Sequence, residues 1–151
     1  NNELGLHMLL WDGACHVHDT LKVEQLVEIK KNYPKAKVIA HPECKQLILT
    51  FADFIGSTTA LIHYVKQSKD TQFIVATESG ILHAMQKEAP GKEFIILGNE
   101  KTCQCNDCEY MKLNTLEKIY ACLSEEKNEI LLDEETIEKS KKSIIRMLNL
   151  S

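Results

Sequence analysis

The sequence predicts an α/β fold, a short parallel sheet in three-layer αβα arrangement with helices on both faces. Two observations predict it. Short apolar runs with no polar alternation recur along the chain, as strands buried on both faces do, and stretches of helical spacing separate them. Each run also leads directly into a chemically rich segment, and in parallel sheets ligands gather at the carboxyl ends of the strands. A composition of 44% hydrophobic and 26% charged residues over 151 positions suits a globular chain rather than a disordered one.

The elements follow in order. Residues 6–11 read as a strand leading into Asp12-Gly13-Ala14-Cys15-His16. Leu21, Val23, Leu26, Val27 and Ile29 have helical spacing, with Asp19 or Thr20 as the N-cap and Pro34 beyond the end. Residues 37–40 form a strand before His41-Pro42-Glu43-Cys44, and a weaker run at 53–55 precedes Gly56-Ser57-Thr58-Thr59. A helix over 59–66 follows, then a strand at 73–76 before Thr77-Glu78-Ser79-Gly80. Residues 81–87 read as a helix closed by Ala89-Pro90-Gly91, and 94–97 as a strand before Gly98-Asn99 and a cysteine-rich loop. Helices over 116–123 and 136–148 finish the chain; the charge-rich stretch 125–142 reads as a solvated face and connector.

The net charge of −4 predicts neither a nucleic-acid surface nor an anionic-membrane surface. The longest apolar runs fall far short of the ~20 residues that cross a bilayer. No charged-then-apolar leader opens the sequence, so a cytoplasmic, reducing location is expected. There the cysteines at 15, 44, 103, 105, 108 and 122 point to metal or redox chemistry before disulfides.

Cys103, Cys105 and Cys108 fall within six residues, close enough to hold zinc or an iron–sulfur cluster. The spacing does not choose between them, and no second C-x-x-C completes a zinc site. Cys15 lies after the first strand with His16 and His18 beside it, and reads equally as a ligand or as a buried structural thiol. Cys44 and Cys122 read as core residues. His41 and Glu43 stand two apart at a strand end, where Pro42 holds His41 extended. Facing one pocket they would supply an acid and a base near neutral pH; the plainer reading is a locally bonded His and a solvated Glu. Ser57 and Thr58 open a helix, where free N–H groups bind phosphate or carboxylate, or where the hydroxyl simply caps. No G-x-G-x-x-G or Walker A pattern is present. His63 and His83 lie on apolar helical stretches and read as structural.

In sequence order, WDGACHVH, VIAHPEC, ADFIGSTTALIHYV, FIVATESGILHAM and CQCNDCEYMKLNTLEKI resemble the quinolinate synthase family of NAD biosynthesis. The resemblance runs from about Leu4 to the C-terminal helix. It implies condensation of iminoaspartate with dihydroxyacetone phosphate, with loss of phosphate and water, at a 4Fe–4S cluster held by three cysteines with one iron open. L-aspartate oxidase is the implied upstream enzyme. By position, Cys15 and Cys108 resemble cluster ligands, while His41, Glu43, Ser57 and Thr58 resemble substrate-binding groups, with Glu43 and His41 catalytic. Two departures stand out. Glu109 replaces the proline that usually follows the last ligand cysteine, and members of the family are about twice as long. They carry three αβα units in pseudo-threefold array, so this chain resembles their C-terminal half. Residues 1–35 would end the middle unit, 36–112 form the third, and 113–151 supply closing helices. The third ligand is then expected outside the chain. A rival reading from the residues is a non-catalytic zinc or interaction module built on Cys103, Cys105 and Cys108.

Overall fold

A computed structural model describes residues 5, 7, 12–98 and 106–150. The strand expected at 6–11 lies outside these but for His7, as do Cys103 and Cys105. The chain divides into two compact units, Asn1–Glu109 and Tyr110–Ser151.

In the first unit, β1 (Lys37–Ala40), β2 (Phe54–Ile55), β3 (Gln72–Ala76) and β4 (Glu93–Ile96) form a four-stranded, all-parallel sheet in the order β2-β1-β3-β4. Alternation along the strands divides the core in two. Val38, Ala40, Ile74 and Ala76 point to one face, where they pack with Leu26 of α2 (Val23–Asn32) and Ile48 of α3 (Gln46–Thr50). Ile39, Phe73 and Val75 point to the other, against Leu61 and Val65 of α4 (Thr58–Gln67) and Met85 of α5 (Ile81–Glu88). Every strand residue of β1 after Lys37 is buried, as continuous apolar runs require when helices cover both faces. The expected α/β class, with its short parallel sheet between helices, is therefore present.

Local chemistry sets the element ends. Ser57 caps α4 by accepting a hydrogen bond from the Ala60 N–H at 3.3 Å. At Gly56 an added Cβ would stand 2.9 Å from the Ala60 Cβ and 3.0 Å from the Phe54 ring, so only glycine passes between β2 and α4. Asp53 lengthens the short β2 ladder: its N–H donates to the Val38 carbonyl at 2.7 Å, and its carboxylate accepts from the Val38 N–H at 2.8 Å.

The entry to α2 differs from expectation. Asp19 and Thr20 belong instead to a short helix α1 (His16–Thr20), and the N-cap of α2 is Lys22, without a side-chain cap bond. The reason is Leu21, only 3% exposed, which leaves α1 in extended backbone to enter the core. The single-turn α3 was also not foreseen, its apolar residues being too few to show a period.

In the second unit, α7 (Leu116–Glu125) begins at the Thr115 cap and α8 (Glu134–Leu148) at the Asp133 cap. The short α6 (Glu109–Lys112) starts at the last residue of the first unit. No residue of α7 or α8 is buried, and Leu116, Leu123 and Leu148 are exposed along amphipathic helices. Among the described residues, no helix is long and apolar enough to cross a membrane.

Candidate functional site

The sheet reverses direction of travel at its centre. From β1 the chain moves outward through α3 to β2, then crosses back through α4 to β3 on the other side of β1. The loops after β1 and β3 therefore part, and the place between them, at the carboxyl ends of two paired strands, is where the ligand crevice lies in such sheets.

The β1 loop supplies His41, Glu43 and Cys44. His41 donates its N–H to the Ala76 carbonyl at 3.1 Å, continuing the ladder, so its ring projects at the crevice mouth. Glu43 Oε2 stands 3.4 Å from His41 Nδ1, and its side chain is 55% exposed. Cys44 points inward and donates its thiol to the Ala76 carbonyl at 3.2 Å; burial pushes its pKa up to about 11.

Helix α1 brings a second set. His18 lies parallel to His41, ring centroids 4.6 Å apart, and is 6% exposed. Its Nε2 stands 3.0 Å from Oγ1 of the buried Thr77, on the β3 loop, and its Nδ1 is 3.3 Å from Glu43 Oε2 without a well-aligned hydrogen bond. Burial and the neighbouring His41 lower the His18 pKa, against the Glu43 and Glu78 carboxylates. Cys15, a half-buried free thiol, immediately precedes α1. One donor atom each from Cys15, His18 and Glu43 lies within 4.8 Å of the others.

The segment before α6 is tied to the same rim. Asn106 Nδ2 donates to the Thr77 carbonyl at 3.2 Å and also to the Leu97 carbonyl, while Ser79 donates to the Asp107 carboxylate. Cys108 follows as a half-buried free thiol. Ser57 and Thr58 lie beyond β2, where the Gly56 N–H donates to the Ala40 carbonyl at 3.1 Å; both side chains are exposed.

Glu43 thus meets His41 and, with His18, Cys15, while Ser57 and Thr58 follow β2 and Cys108 follows the Asn106–Asp107 segment that is bonded to the β3 loop. His63 and His83, which read as structural, are exposed on α4 and α5. Cys103 and Cys105 of the zinc-module reading lie outside the described residues, and among the described residues Cys108 joins no group of three such donors. The sequence offers Thr77 only as part of the strand-end segment 77–80, as an anion-binding or capping residue, and it does not mark Asn106. A signal for His18 existed: Cys15 and His18 are three apart, the spacing of neighbours on one helical turn.

The family profile described as NadA, quinolinate synthetase A protein, matches residues 1–149. A quinolinate synthase from Synechocystis sp. (strain ATCC 27184 / PCC 6803 / Kazusa) is 50% identical over 149 residues, covering 99% of this chain and 47% of the relative. A quinolinate synthase of Microcystis aeruginosa is 47% identical over 151 residues, covering 100% and 47% respectively. One from Cyanophora paradoxa is 47% identical over 150 residues, covering 99% and 46%. The chain therefore spans about half the length of these curated relatives.

Proposed function

The chain belongs to the quinolinate synthetase A family, and from that premise we propose that it is the C-terminal part of an enzyme condensing iminoaspartate with dihydroxyacetone phosphate to quinolinate, releasing phosphate and water. The observation that carries this reading is the crevice between the β1 and β3 loops, where His41, Glu43, His18 and Cys15 converge. In the proposed arrangement residues 1–35 close the middle of three αβα units, 36–112 form the third, and 113–151 supply the closing helices. The N-terminal half of the longer protein and the two small molecules are its partners in this reading.

Cys15 and Cys108 would hold a 4Fe–4S cluster. Both are free, half-buried thiols on segments tied to one sheet rim, as such ligation needs, and a third cysteine would come from outside this chain. When bound, the cluster would supply a Lewis-acidic iron that eases loss of a hydroxyl. The remaining chemistry falls to the chain. Glu43, exposed at the crevice mouth, takes and returns the protons moved during condensation and dehydration. His41, fixed by its backbone bond to Ala76, orients a substrate oxygen towards Glu43. Ser57 and Thr58, at the start of the ten-residue α4, bind a carboxylate or phosphate through the helix N-terminus. The buried His18–Thr77 pair keeps water from the inner wall.

In a chain extended to the length of its relatives, Glu43→Gln is expected to leave the iron–sulfur absorption intact and reduce quinolinate formation at least 100-fold, as loss of an acid/base does. Activity near wild type would remove Glu43 from the mechanism. The 151-residue chain alone, reconstituted anaerobically with iron and sulfide, is expected to hold no stable stoichiometric cluster. A stable one would refute the outside ligand.

A further inference from the structure

We propose that Asn106 is a positioning residue for Cys108, its buried amide fixing the stretch of backbone that carries the thiol. This rests on the reading of Cys108 as a cluster ligand, and adds what sets the thiol's place before any cluster is bound. Asn106 is 4% exposed. Its Nδ2 donates to the Thr77 carbonyl at 3.2 Å and also to the Leu97 carbonyl. Thr77 directly follows β3 and Leu97 directly follows β4, so one side chain joins the ends of two neighbouring strands. The backbone is held as well: the Ser79 N–H donates to the Asn106 carbonyl at 3.1 Å, and the Ser79 hydroxyl donates to the Asp107 carboxylate. Cys108 is the next residue, and α6 begins immediately after it.

Both partners of the amide nitrogen are carbonyl oxygens, which only a donor satisfies, and this fixes which way the amide points. The consequence falls on its other end. Asn106 Oδ1 is buried with no hydrogen-bond partner among the described residues, and it fills the space beside Gly98 where a Cβ would stand. Packing alone does not account for such a residue, because an apolar side chain of similar size would strand no buried oxygen. What the position uses is the pair of donors. Ordering backbone costs conformational entropy, and here the fold bears that cost for residues 106 and 107 before a metal group arrives. A ligand on a segment already held in place binds more tightly than one ordered in the act, and partners behind a metal ligand contribute about 10–100-fold in affinity.

The tests need no turnover. In the reduced, metal-free 151-residue chain, iodoacetamide alkylation is followed cysteine by cysteine with peptide mass spectrometry. Asn106→Asp keeps the shape but sets a carboxylate against two carbonyls. It should speed Cys108 alkylation about tenfold, as loss of local protection does, and leave Cys122 of α7 unchanged. Asp53→Ala, which loosens the β2 edge of the sheet, should leave Cys108 unchanged. In a chain extended to the length of its relatives and loaded with iron and sulfide, Asn106→Asp should speed loss of the iron–sulfur absorption to a chelator about 10–100-fold. Ser79→Ala should act in the same direction by a smaller factor, and Ser79→Thr, which keeps the hydroxyl, should match wild type. Unchanged Cys108 alkylation or an unchanged chelator rate in Asn106→Asp overturns the proposal, as does an equal acceleration in Asp53→Ala. If Asn106→Asp does not fold, Ser79→Ala against Ser79→Thr decides by the same alkylation rates. A stable cluster in Cys108→Ser would remove the ligand reading instead, a failure that the metal-free alkylation rates keep separate from this one.

Discussion

Gly98, in the turn after β4, has φ +95°, in the left-handed region, with the Asn106 side-chain oxygen where a Cβ would stand and Leu21 Cδ2 at 3.1 Å from it. Gly98→Ala therefore combines backbone strain with displacement of Asn106, whose amide holds the Thr77 and Leu97 carbonyls. A loss of about 1–3 kcal/mol is expected from the strained conformation alone, read as a lower denaturant midpoint at unchanged slope. An unchanged midpoint would show that residue 106 does not anchor its segment. At this scale the sequence exposed the reactive residues better than their supports. His41, Glu43 and Cys15 stand in short motifs after strands. Thr77 and Asn106 act by burial and by bonds to distant carbonyls, which no local pattern encodes.

At the scale of elements, the sheet strands were legible because β1, β3 and β4 are apolar on both faces and bounded by turn residues, and each was placed to within one residue. The start of α2 was not, because burial of Leu21 overrode the caps offered by Asp19 and Thr20. Strand β2 shows another tertiary effect. It has two residues, yet Asp53 adds a carboxylate bond to Val38 and an ion pair to Lys37 at 2.9 Å. Burial would raise the Asp53 pKa, but the Val38 N–H and the Lys37 ammonium outweigh it and hold the carboxyl below its usual value. A depressed carboxylate stabilises the fold above its unfolded pKa of about 3.9, and that contribution is lost as pH falls through the lower folded value. Asp53→Ala should cost about 1 kcal/mol or somewhat more at neutral pH. The gap to wild type should shrink below about pH 4, measured by urea denaturation at several pH values. A gap constant down to the acid transition would contradict the charged bond.

The whole molecule combines a unit with two cores and a unit with none of its helix residues buried. Removing residues 110–151 should therefore leave cooperative unfolding in place and lower binding of an apolar dye, since Leu116, Leu123, Ile130 and Leu148 go with it. Loss of cooperativity would show that the first unit depends on the second. The His18–Thr77 bond carries a further consequence, in time rather than space. Its partners are 59 positions apart, and during synthesis at about 5–20 residues per second the first is made seconds before the second. A nascent chain thus offers Cys15 and His18 to the cell before β3 exists to hold the ring. The imidazole is therefore free to turn until β3 has left the ribosome, and only then takes the orientation that Thr77 gives it.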